Sequence, residues 1–94
     1  MHHTREGDHL TVELDRDFNL FTARYVERLA DTAAAVTVDL KAARLVDTEG
    51  IIALDRLKRA GKQVTVRNPP DIFFEVLRAL DLTGHFDVHS EAMQ

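Results

Sequence analysis

No cysteine occurs among the 94 residues, so disulfides, thiolate zinc sites and cysteine nucleophiles are excluded together. Glycine is scarce, with four residues scattered too widely for a phosphate-cradling loop or for the Gly-x-Ser-x-Gly elbow of a hydrolase. No run approaches the ~20 apolar residues that a membrane span requires. Met1 to Asp8 also lacks the apolar core of a signal peptide, so a cytoplasmic protein with no direct membrane insertion is expected. Basic excess is missing as well. The net charge of -4 and pI of about 5.6 disfavour nucleic acid as a partner and leave proteins or small ligands.

What the chain does contain is an ordinary globular mixture, 45% hydrophobic and 30% charged, enough for one modest core. A single domain over residues 1–94 is expected, with 1–8 as a flexible end or a short edge strand. His2 and His3 are adjacent on that end and make a poor metal site, so no metal is expected there.

Alternation sets the first strand. His9 to Leu14 places Leu10, Val12 and Leu14 on one face, the pattern of a half-buried strand. Asp15-Arg16-Asp17 supplies capping chemistry before Phe18 to Ala34, where Phe18, Phe21, Tyr25, Val26, Leu29, Ala30 and Ala33 recur at helical spacing. Val36 to Leu40 is a β-branched run, and the apolar stretch Ala42 to Val46 follows it. From Glu49 the period is helical again, with Ile51, Leu54 and Leu57 inward and Gly61 in a stopping position. Gln63 to Arg67 is the next strand, Asn68-Pro69-Pro70 ends it, and Asp71 to Leu80 reads as a third helix. Phe86 to Val88 adds an edge strand. Strands alternating with helices imply βαβ units: an α/β fold with a mixed, mostly parallel sheet packed with about three to four α-helices.

Between a strand and a helix lies Asp47-Thr48-Glu49-Gly50, at the carboxyl end of a strand, where ligand and partner sites of such sheets gather. Thr48 reads chiefly as a helix N-cap and alternatively as a regulated contact. Asp47 reads as a cap or as the carboxylate that positions the Thr48 hydroxyl. Gly50 reads as close packing or close approach of a partner, because glycine inside a helix costs about 1 kcal/mol relative to alanine. Lys58, Arg59, Lys62 and Arg67 read chiefly as a solvated face and alternatively as a grip for a phosphate or an acidic partner. His85 and His89 show no metal-ligand spacing and read as surface residues. An enzyme would depend on Asp47, Thr48 and Glu49 alone, with no base, metal or oxyanion donor evident.

Val36 to Leu40, then Val46 to Leu54, then Lys62 to Pro69, then Leu77 to Phe86 with Asp81-Leu82-Thr83-Gly84, taken in order, resemble a STAS domain. That module is shared by anti-sigma factor antagonists and sulfate transporters, and the likeness covers about the last two thirds of the chain. The resemblance implies a small α/β domain without catalysis or cofactor that docks onto another protein. It makes Thr48 the candidate phosphoacceptor and an anti-sigma factor kinase the partner. A second branch, the STAS subunits of lipid-transport ABC systems, also keeps an Asp-Thr pair at this place, and implies the transporter's ATPase subunit instead. In either branch the expected partner-binding set is Asp47, Thr48, Glu49 and Gly50 with the outward residues Asp55, Arg59 and Lys62. Glu49 departs from the antagonist pattern, which has a small residue there, and its charge would repel a phosphate on Thr48.

Overall fold

The computed structural model describes residues 1–91, and the last three residues of the domain expected over 1–94 lie outside them. Strands β1 (His2–Glu6), β2 (His9–Glu13), β3 (Ala35–Asp39), β4 (Gln63–Arg67) and β5 (Asp87–His89) form one sheet in the order β1-β2-β3-β4-β5. β1 pairs antiparallel with β2 across the turn at Gly7, which takes φ +58, and every other pair is parallel. Helices α1 (Leu20–Ala30), α2 (Thr48–Arg59) and α3 (Asp71–Ala79) connect the parallel strands. The α/β class and the mixed, mostly parallel sheet are those the sequence predicts.

Alternation decides which sheet face makes the core. Leu10, Val12, Val36, Val38, Val64 and Val66 are buried on one face, against α1 and α2 residues such as Ala23, Val26, Ile51 and Leu54. On the opposite face Thr4, Thr11, Thr37, Thr65 and Asp87 stand side by side in register across the five strands.

The first helix begins later than its apolar spacing predicts. Asn19 caps it: its side chain accepts from the N–H of Phe21 at 3.0 Å and of Thr22 at 3.2 Å, while the Thr22 hydroxyl accepts from the Asn19 N–H at 2.9 Å. This reciprocal box fixes the start at Leu20. The buried stripe is therefore Thr22, Ala23, Val26 and Ala30, and Phe21, expected in the core, is 79% exposed. Phe18 stays outside the helix and is fully buried, bridging Val46 in parallel. At the other end of α2, Gly61 at φ +90 lets its own N–H reach the Lys58 carbonyl and the Lys62 N–H reach that of Leu57. Those two bonds are a Schellman stop, as the position of Gly61 predicts.

Candidate functional site

The segment entering α2 is clamped to the segment entering α1. The Phe18 N–H donates to the Leu45 carbonyl at 2.9 Å, the Asp47 N–H donates to the Phe18 carbonyl at 3.1 Å, and the Leu45 N–H donates to Asp17 Oδ1 at 3.2 Å. Gly50 makes the contact close. A Cβ there would lie 2.8 Å from Phe18 Cδ2 and 3.0 Å from the Phe18 carbonyl oxygen, so packing requires this glycine.

Asp47 is the cap of α2. Its extended backbone and its carboxylate, which accepts from the Gly50 N–H at 3.1 Å, are those of an N-cap residue. Thr48 is the first helical residue, which corrects its reading as the cap, and its exposed hydroxyl makes no hydrogen bond to the protein among the described residues. The distinction is measurable in melting curves. Asp47→Ala should cost about 1 kcal/mol, whereas Thr48→Ala should stay within about 0.5 kcal/mol of the parent.

Beside Asp47 a cavity of about 390 Å³ opens, lined by Asp17, Phe18, Asn19, Leu45, Val46, Asp47 and Ile72. Leu45, on its rim, is 61% exposed, and Phe21 stands two residues beyond Asn19. Both apolar residues were missed as surface features. The sequence signal for Phe21 was its place two residues after a capping asparagine, which points it away from the stripe that follows.

Residues 48, 52, 55 and 59 share one face of α2. Thr48 and Arg59 are exposed at the two ends of that face, about 16 Å apart by helical rise. Asp55, expected to project outward, is instead mostly buried, accepting from Arg59 Nε at 2.8 Å and lying 2.8 Å from His85 Nε2. His85 is thus a bridge from the α3–β5 loop to α2 rather than a plain surface residue. Lys62 is turned back as well, donating to the carbonyls of Ala33 at 2.6 Å and Asp31 at 3.1 Å. Lys58 donates to the His85 carbonyl and lies 6.0 Å from the centre of the Phe86 ring, and Arg67 pairs with Asp39 at 3.0 Å. Lys58, Lys62 and Arg67 therefore hold loops and strand ends, Arg59 pairs within its own helix, and the four do not converge on a phosphate. Among the described residues no group of three or more metal-ligating side chains forms.

Electrostatics around α2 follow from these contacts. Burial works against the Asp55 charge, but the hydrogen bond to His85 and the Arg59 guanidinium outweigh it and hold the carboxyl below the usual range. Asp15 is lowered to about 2 by hydrogen bonds from the N-terminal ammonium and Arg16. Both carboxyls are depressed on folding, so their stabilisation is present above about pH 4 and lost as pH falls through the lower folded values. Urea midpoints measured from pH 5 to pH 2 should fall less steeply for Asp55→Asn than for the parent. Arg56 is held to Glu27 by two bonds of 2.9 and 3.3 Å, and the Glu49 carboxylate lies near enough to favour the Arg56 charge further, though less than Glu27 does.

Compared with family models and with curated protein sequences, the chain finds no match. Its backbone does match a solved structure, that of a Thermotoga maritima protein assigned as an anti-sigma factor antagonist. The TM-score is 0.70 over 93% of this chain and 83% of that one, at 12% identity. This chain has the STAS fold. Within the STAS fold described here, Asp47–Gly50 occupies the entry to α2, and among the described residues neither the Thr48 hydroxyl nor the Glu49 carboxylate makes a hydrogen bond to the protein. Among the described residues no helix is long and apolar enough to cross a membrane.

Proposed function

We propose that this chain is a non-catalytic regulatory module of the anti-sigma factor antagonist type. It docks onto a nucleotide-binding partner protein through the Asp47–Gly50 loop and the exposed face of α2, with Thr48 as the phosphoacceptor. One observation carries the reading: Asp47 does the capping, so the Thr48 hydroxyl is exposed and unspent. A hydroxyl needed to hold a helix end would be a poor switch, because modifying it would fray the helix. Leu45 and Phe21, exposed near the same loop, supply the apolar surface that a protein partner could cover.

A phosphate on Thr48 would gain about 0.3–1 kcal/mol from the N-terminus of α2. The repulsion expected from Glu49 is moderated, because Glu49 lies about 100° around the helix from Thr48 and on the side of Arg56. Arg59 is the exposed basic contact of the set. Asp55 acts through it, and Asp55 and Lys62 both brace loops, so charge reversal at Asp55 should lower stability as well as capture, whereas Arg59→Glu, which sets a second carboxylate beside Asp55, should weaken capture with a smaller loss of stability. The basic grip on a phosphate suggested by Lys58, Arg59, Lys62 and Arg67 is not part of the proposal, since each is engaged within the fold.

Affinity purification of the tagged chain from its native cell tests the reading. Recovery of an anti-sigma factor kinase, lost with Arg59→Glu and with Thr48→Asp, is the expected result. Recovery of an ABC transporter ATPase in its place would move the chain to the transporter branch. The purified domain should turn over neither nucleotides nor esters, and reproducible activity abolished by Asp47→Asn would overturn the binding-module reading.

A further inference from the structure

β5 closes one edge of the sheet, and its sequence is complementary to itself. The Asn68 N–H donates to the His89 carbonyl at 2.7 Å, so the backbone groups of Asp87 and His89 face β4. By the alternation of a strand, the N–H and C=O of Val88 face away from the sheet, where no strand pairs with β5 among the described residues. Asp87 and His89 lie on the same face, with side chains 63% and 65% exposed and 3.3 Å apart. We infer that this edge is a docking surface for a second copy of the same chain, joined antiparallel about Val88.

The two-fold follows from the residues. With Val88 opposite Val88 as a hydrogen-bonded pair, Asp87 falls opposite His89 of the second copy, and His89 opposite its Asp87. These are non-hydrogen-bonded positions, where Cα atoms approach to about 4.5 Å and side chains meet most closely. Each carboxylate thus faces an imidazole across the joint, twice by symmetry. A three-residue joint is too small to hold two chains alone. Beside it, however, a groove of about 550 Å³ runs between α3 and β5, with Phe74, Leu77, Phe86 and Val88 in its wall and Phe74 41% exposed. The second copy is placed to cover it. The opposite edge is less complementary: pairing β1 to itself about Thr4 would oppose His2 to Glu6 but would also set Arg5 against His3, and the cavity beside it, lined by Thr4, Glu6, His9 and Thr11, is polar.

Sedimentation equilibrium of the full chain at pH 6 tests the inference. The expected result is a reversible dimer between about 10 µM and 1 mM. Asp87→His and His89→Asp should each weaken it by roughly tenfold or more, because two attractive cross-strand pairs become two repulsive ones. An equimolar mixture of the two variants, or the double exchange Asp87→His with His89→Asp, should restore it. Loss of fold in a single variant would not be rescued by mixing, so restoration reports the joint itself. A monomer at every concentration, or a dimer equally tight in both single variants, would overturn the assignment.

Discussion

Phe18→Ala should cost about 3–5 kcal/mol, a large part of the roughly 5–15 kcal/mol that separates a folded domain from its unfolded chain. For a chain of this size the melting temperature should fall by roughly 15 °C or more. The ring is fully buried, it packs on Gly50, and its backbone holds both Leu45 and Asp47. Removing it leaves a cavity at the one point where the entries to α1 and α2 are tied together. The hydrogen bonds of the Phe18 backbone remain, so the loss reads packing rather than pairing. A cost below about 1 kcal/mol in urea or thermal unfolding would mean that the clamp does not depend on the ring.

The second large effect belongs to Gly50→Val, at about 2–3 kcal/mol. A side chain gains helix propensity over glycine, about 1 kcal/mol for alanine and less for valine. Against that, the new Cβ would meet a buried ring at 2.8 Å and a backbone oxygen at 3.0 Å, and overpacking of this kind costs about 1–3 kcal/mol for a single methyl. Valine adds two more carbons to the same space. A double-mutant cycle identifies the partner: Gly50→Ala should be destabilising in the parent but close to neutral in a Phe18→Ala background, since only the carbonyl contact survives there. Equal costs in both backgrounds would assign Gly50 to something other than the Phe18 ring.

Much of the architecture was legible because its signals are local. Alternation at His9 to Leu14 and the β-branched runs at Val36 and Val64 placed the central strands, and Gly61 marked the end of α2. The start of α1 was not legible in the same way. Phe18 and Phe21 share a helical spacing, and only the Asn19–Thr22 capping box decides that one is buried before the helix and the other exposed on it. Periodicity cannot distinguish them. At the candidate site the chemistry was visible but the roles were not, because Asp47 and Thr48 are both good caps and differ by a single residue in phase. Asp55 and Lys62 looked outward by helical phase and by charge. Their partners, His85 and the carbonyls of Asp31 and Ala33, lie 29 to 31 residues away, where no local pattern reaches.

The claim that Thr48 is a contact and not a structural element is tested most directly by Thr48→Asp, with unfolding and partner affinity measured on the same preparation. Aspartate at the first helical position should leave the melting temperature unchanged or slightly raised, because a negative charge is favoured at a helix N-terminus. Affinity for the captured partner should nevertheless fall by tenfold or more, as a carboxylate imitates in part the charge that a phosphate would place there. Binding as tight as the parent's, or a loss of affinity that merely follows a loss of stability, would contradict the account.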